Sequence, residues 1–352
     1  MFSTSVRSAL AALVLVAVAV SADPGLSLSI SGPSDVTSVS SLQVTATLVN
    51  TGDVELKLLN DPRTVLHTFE TDTFTITDST GASPAFTGAF VKYVPERVLA
   101  QGAESSFTVL APGASVEITH DLSKAYNFTS SGSGTYDISA SNKLQYVDPA
   151  TNKLATIYAD AADAHTTSVS GELAIARRSQ FAKRIAYQSC SSSEKTQLVN
   201  AAAAAQSYVD AAKAYLTSTT TSSTRWVTWF GTFTTAHHTT VLSHYTKMSA
   251  DAYADYTYDC SCTDSDTYAY VFADEFGTIY LCGVFWEVAT TGTDSQGGTL
   301  VHESSHFLVT GSTQDYAYGQ TAAKALAKSN TAEAIENADS HEYFAENNPA
   351  QS

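Results

Sequence analysis

The chain has 352 residues, of which 43% are hydrophobic and 15% charged, enough apolar material and length for about two folded domains. Its 35 acidic against 18 basic side chains leave a net charge of −17, which excludes nucleic-acid binding through a basic face and argues against attraction to anionic lipid. Sparse charge and 10% aromatic residues exclude wholesale disorder.

In chain order, residues 1–22 combine a basic start at Arg7, an apolar run from Ala9 to Val20 and small residues around Ser21 and Ala22. That is the pattern of a secretory signal peptide, and the run is short for a membrane span. The expected product is secreted and extracellular, with no membrane partner. Residues 23 to about 171 then alternate apolar and polar side chains in short runs: Leu26–Ile30, Leu42–Leu48, Thr73–Thr77, Ser106–Leu110 and Ser115–Thr119. Turn signals such as Gly32-Pro33, Asn60-Asp61-Pro62 and Pro112-Gly113 separate them. Many short strands at this spacing predict an antiparallel β-sandwich. Asn127-Phe128-Thr129 is the chain's one glycosylation sequon, which makes Asn127 a candidate modification site.

Near residues 172–189 the pattern breaks. Arg177-Arg178 and Lys183-Arg184 are dibasic pairs in a polar linker, and between two dissimilar halves of a secreted chain they read as a processing region. Beyond it the period turns helical. Ser191-x-x-Glu194 is a capping box that opens an Ala-rich helix to about Leu216. Trp226 to about Met248 reads as one further helix. Thr267–Phe272 and Gly277–Leu281 read as a hairpin around Asp274-Glu275, and most of the chain from Leu300 onward as helix. His237 and His238 read as surface or supporting residues.

All four cysteines, Cys190, Cys260, Cys262 and Cys282, lie in this second half. An even count in a secreted chain implies disulfides. Cys260 and Cys262 are too close in sequence to pair easily with each other, which leaves two connectivities. Residues 186–352 hold 18 of the acidic side chains but only 6 of the basic ones, so the acidity is concentrated there.

The string that carries chemistry is His302-Glu303-Ser304-Ser305-His306. On a helix, residues i and i+4 share a face, so both imidazoles reach one zinc ion, while the neighbouring glutamate can take a proton from a water activated by the metal. A catalytic zinc needs a third protein ligand. Glu333, Glu336 and Glu342 qualify by spacing alone. Nearer by, glycines bracket a loop that contains Asp315, a carboxylate placed to turn back to the metal, and Tyr318, a phenol able to support an oxyanion.

H-E-x-x-H followed closely by a loop of the form G-T-x-D-x-x-Y-G resembles the signature of the aspzincins, the deuterolysin-type zinc endopeptidases. Residues 186–352 are similar in particular to the fungal peptidyl-Lys metalloendopeptidases, through Cys190–Glu194, Trp229–Gly231, Phe276–Cys282, Thr291–Ser295, Thr299–His306, Asp315–Gly319 and His341–Phe344 with Glu346–Ala350. One position departs from the pattern: Ser312 stands where the motif has its first Gly, with Gly311 just before it, so the loop is expected to bend one residue earlier. The resemblance implies one zinc ion held by His302, His306 and Asp315, Glu303 as general base, Tyr318 supporting the tetrahedral intermediate, and disulfides Cys190–Cys260 and Cys262–Cys282. Asp339 and Glu342 stand at i and i+3 of an expected helix, so they share a face. The resemblance makes them the S1′ pocket for a lysine ammonium, with cleavage on its amino side.

The sequence therefore predicts an α+β protein. Residues 1–22 are the signal peptide, 23–185 a β-rich, sandwich-like propeptide, and 186–352 a mostly helical zincin protease with a small antiparallel sheet. Its partners would be lysine-containing proteins or peptides and its own propeptide, acting as intramolecular inhibitor or folding aid; a monomer suffices. Two other readings stand beside it: a deuterolysin-like endopeptidase without lysine preference, decided by Asp339 and Glu342, and a non-enzymatic cell-wall or adhesion protein, against which an intact Glu303 argues.

Overall fold

The computed structural model describes residues 23–175 and 187–352; the expected leader and the dibasic pairs lie outside the described residues. The architecture is mixed, with 34% helix and 29% strand. No helix among the described residues is long and apolar enough to cross a membrane.

The alternating runs of the first half become strands because period-2 hydrophobicity puts one face of each in a core. Gln43–Asn50 buries every second side chain, and it lies between Leu26–Ser31 and Ser115–Asp121 in a four-stranded sheet. Asp35–Ser38, His165–Glu172, Gly134–Ala140 and Phe74–Asp78 make a second sheet. Leu28, Val44 and Leu48 of the first sheet and Val36, Ile76 and Ile138 of the second belong to one apolar cluster. A third sheet runs Lys153–Tyr158, Lys143–Asp148, Leu56–Leu59, Phe107–Leu110. Asn127, in the short Tyr126–Asn127 strand, is partly exposed, and its side chain accepts a hydrogen bond from the Thr129 amide.

In the second half the capping box forms as expected: Ser191 Oγ accepts from the Glu194 amide and Glu194 accepts from the Ser191 amide. The helix it opens, Ser192–Ser218, buries Leu198, Ala201, Ala205, Val209, Ala212 and Leu216 on one stripe. Its small side chains let the Gln296–His306 helix lie close against it; that helix is buried all round. The single helix expected over Trp226–Met248 is two, Thr224–Phe230 and Thr235–Ala250. The break is at Gly231, whose φ is +74° and where a Cβ would overlap the Ala327 carbonyl oxygen. Cys190 pairs with Cys260 and Cys262 with Cys282.

The small sheet differs from expectation in two ways. It is mixed: Tyr187–Gln188, Thr257–Asp259 and Thr278–Leu281 run parallel, and Thr267–Phe272 pairs antiparallel with the last of them. Its fifth strand, Ala89–Tyr93, comes from the first half and pairs antiparallel with Thr267–Phe272, with Lys92 opposite Ala269. Every side chain of this inserted strand is buried, so it shows no alternation, as expected of a strand covered on both faces.

Candidate metal centre and adjoining acidic pocket

The Gln296–His306 helix starts at Ser295, whose Oγ accepts from the Gly298 amide. Gly298 leaves room for Glu346 of the neighbouring Ala338–Glu346 helix; a Cβ there would overlap its carboxylate. Glu346 in turn accepts from the Ser295 amide and hydroxyl at 2.9 and 2.8 Å. The helix register is thereby locked to the helix that carries Asp339 and Glu342.

One turn apart, His302 and His306 bring their Nε2 atoms to 3.2 Å, and both are fully buried. Asp315 Oδ1 lies 3.3 Å from the first and 3.4 Å from the second. The Asp315 loop is pinned from both ends. His306 Nδ1 sits 2.8 Å from the Thr313 carbonyl, Gln314 exchanges backbone hydrogen bonds with Glu336 and Ala338, and the Asn337 amide clamps both backbone groups of Ala317. Ser312 carries the left-handed bend itself, with φ +53°, so the bend has not moved to Gly311 as the sequence suggested. Of the four acids considered as third ligand, Asp315 is the one at the Nε2 pair, and Glu342 approaches His302 only from its Nδ1 side, at 3.5 Å.

This donor set fits zinc. A carbonyl only accepts, so His306 Nδ1 carries the proton beside Thr313. His302 Nδ1 does likewise beside the Asp339 carboxylate at 2.8 Å. Both Nε2 atoms then present lone pairs to one another and to a carboxylate, an arrangement that wants a cation at its centre. His302, His306 and Asp315 are within reach of a single ion. Beside them Glu303 is fully buried, and burial pushes its pKa well up. Its Oε2 and the Tyr318 hydroxyl have no hydrogen-bond partner among the described residues.

On the far side of His302 is a second cluster. Asp339 and Glu342, both fully buried, surround the ammonium of Lys92: Nζ lies 2.9 Å from Asp339 and 2.7 Å from Glu342. Asp294 adds a third carboxylate at 3.3 Å and accepts the Tyr343 hydroxyl at 2.5 Å. Tyr343 also places its ring 4.8 Å from the ammonium. Burial works against the charge on Lys92, but these acids raise its pKa well above normal. Burial likewise opposes ionisation of Asp339, yet Lys92 and His302 leave its pKa lowered.

Sequence reasoning had missed Lys92, Asp294, Tyr343 and Glu346. The expected residues are all present in the two clusters: His302, Glu303, His306, Asp315 and Tyr318 around the first, Asp339 and Glu342 in the second. His238 is buried, with Nε2 3.0 Å from the Leu216 carbonyl and its ring beside Trp226 and Phe233.

Residues 215–346 match the aspzincin family described as "Lysine-specific metallo-endopeptidase". The chain is 60% identical to the peptidyl-Lys metalloendopeptidase of Armillaria mellea over 100% of both chains. It is 56% identical to that of Pleurotus ostreatus over 161 residues, 46% of this chain and 96% of the relative. A solved zinc peptidase from Grifola frondosa aligns at 57% identity over 46% of this chain and 100% of its own, with TM-score 0.46. Identity of this degree over the full length, with the zinc motif and the acidic pair in place, makes the chain a member of the aspzincin family of lysine-specific metallo-endopeptidases.

Proposed function

We propose that this chain is the secreted precursor of a zinc endopeptidase that hydrolyses peptide bonds on the amino side of lysine, with 1–22 as leader, 23–185 as removable propeptide and 186–352 as the protease. The observation that carries the reading is that a three-ligand cluster and a lysine-filled acidic pocket meet on opposite nitrogens of one imidazole, His302. Two disulfides support an oxidising destination. The Pleurotus relative, aligned over 161 residues, supports a protease about as long as residues 186–352.

His302, His306 and Asp315 would hold the zinc. When bound, the metal polarises the scissile carbonyl and makes the attacking water a stronger acid. Glu303 takes the water's proton and passes it to the departing lysine nitrogen. The unpartnered Tyr318 hydroxyl donates to the carbonyl oxygen as it gains charge. Asp339 and Glu342, joined by Asp294, hold the lysine ammonium and so set which bond lies at Glu303.

Metal analysis of the processed enzyme and a digest of one denatured protein, read by mass spectrometry, test this. One zinc per chain and new N-termini that are lysines, lost on chelation and restored by zinc, are the expected results. Scattered cuts would sink the lysine assignment, and absence of metal-dependent cuts would sink the enzyme.

A further inference from the structure

Among the described residues of the first half, which the proposed protease does not need for its chemistry, Lys92 is fully buried. Lysine is almost never fully buried unless paired, and here its partners lie 202–251 residues away in sequence. A segment that merely covered the cleft would be served by apolar side chains. This one places a lysine side chain in the acidic pocket.

The backbone around it is equally particular. The strand adds antiparallel to the edge of Thr267–Phe272, which is how an extended peptide docks on a sheet edge. The Lys92 amide donates to Glu303 Oε1 at 3.0 Å and the Val91 amide to Asp315 Oδ2 at 3.0 Å. The Phe90 ring stacks on His306 with centroids 4.5 Å apart. The ammonium is thus in the pocket while the amide nitrogen on the amino side of the same lysine lies against the general base. Further contacts seat the strand's own domain: Arg63 stacks on the Tyr318 ring at 3.9 Å, and Arg97 reaches Glu287 at 3.1 Å.

We propose that Lys92 is a tethered competitor for the lysine pocket: the propeptide keeps the enzyme latent by presenting Val91-Lys92 to the cleft as a substrate would. The proposal rests on the precursor reading above and names the residue on which latency depends. Being on the same chain, the strand acts at a high effective concentration, so a free peptide competes poorly until the strand is released. Removing the ammonium leaves Asp339 and Glu342 facing each other without a counter-charge, which weakens the insertion itself.

The test compares intact, unprocessed full-length chains carrying Lys92→Met, the exposed control Lys153→Met, or neither, on a fluorogenic peptide with one Xaa-Lys bond. Lys92→Met should raise the activity of the intact chain by at least about tenfold, the control should match wild type, and all three should agree after processing. A Lys92→Met chain as latent as wild type overturns the proposal. A second measurement needs no variant: in the wild-type precursor an amine-acylating reagent should modify Lys153 but spare Lys92 until the chain is denatured. Equal labelling of the two native lysines also overturns it. The cleavage pattern of the processed enzyme is read separately, so loss of lysine preference there would fault the function and not the mode of latency.

Discussion

Two clusters meet at His302, and they differ in what completes them. Around Nε2 stand His306 and Asp315, with no ammonium or guanidinium among the described residues paired to them. Around Nδ1 stand Asp339 and Glu342, and there the chain provides an ammonium of its own. Both sets are compact enough to hold an ion, yet their chemistry separates them. Two imidazoles and one carboxylate suit zinc, whereas two or three carboxylates beside a tyrosine suit an ammonium. Each cluster is the other's support, because the proton on Nδ1 that faces Asp339 is what leaves Nε2 free for the metal.

The largest effects come from the Nε2 side. Glu303→Gln should lower kcat by about 10²–10⁴-fold with zinc still bound, since Glu303 is not among the three converging ligands. His306→Ala should lose the zinc itself. A Glu303→Gln enzyme that had also lost its metal would merge the two roles and contradict this division.

The shared imidazole makes Asp339 and Glu342 unequal, although the sequence presents them as a pair. Asp339 lies 2.8 Å from His302 Nδ1 and also receives the Gly319 amide at 2.6 Å, so it braces both the ligand and the start of the helix after Tyr318. Asp339→Asn should raise KM for lysine substrates and weaken zinc by about 10–100-fold. Glu342→Gln should raise KM with zinc affinity almost unchanged. Chelator competition on the two processed variants measures the difference, and equal zinc losses would break the comparison.

Behind the pocket helix lies a third imidazole arrangement, built to stay neutral. His244 Nδ1 and His341 Nε2 are 3.0 Å apart, and His341 Nδ1 donates to the Asn337 carbonyl. Burial pushes His244 down to about 4 and, with His244 as neighbour, His341 down to about 3. An unfolded chain therefore binds protons at these residues below about pH 6.5 that the folded chain does not. The stability they allow is present above that value and falls as pH drops toward 4 and then 3, by about 1.4 kcal/mol per pH unit for each histidine. Buried Glu303 and Glu346, whose pKa values are raised, contribute with the opposite sign in the same range, so the pair is read as a difference: denaturant unfolding of wild type and of a histidine variant, compared between pH 6 and 5. His244→Gln should reduce the slope by about one histidine's share. An unchanged slope would mean that the pair is not the source.

What the sequence made legible was local. His302, Glu303 and His306 lie within one helical turn, Asp315 follows in the next loop, and Asp339 and Glu342 share a helix face, so spacing alone could group them. The strands with one solvated face alternated and were visible for that reason. Ala89–Tyr93, buried on both sides, carried no alternation, and nothing local tied Lys92 to acids more than 200 residues away. Asp294 escaped for the same reason, as it joins the pocket only through tertiary packing, whereas Tyr343 stands at i+4 from Asp339 on the same helix and was within reach of the spacing argument. The break at Gly231 was readable: a glycine follows Trp229-Phe230 and β-branched residues lie beyond it, both unfavourable to one long helix.

Ser312 gives the smallest effect and shows most plainly how a motif departure is absorbed. Its φ of +53° is one that a residue with a Cβ adopts at a cost of about 1–2 kcal/mol, and its hydroxyl recovers little through a 3.4 Å bond to the Leu308 carbonyl. Glycine would remove that strain but add about 0.5–1 kcal/mol of unfolded-chain entropy. Ser312→Gly should therefore stabilise the full chain by about 0.5–1 kcal/mol, a rise of a few degrees or less in Tm. The bend is already at residue 312, so Asp315 keeps its place against both imidazoles, and zinc affinity and lysine preference should not change. A loss of zinc affinity in this variant would show that the serine side chain, and not the backbone turn, brings Asp315 to the Nε2 cluster.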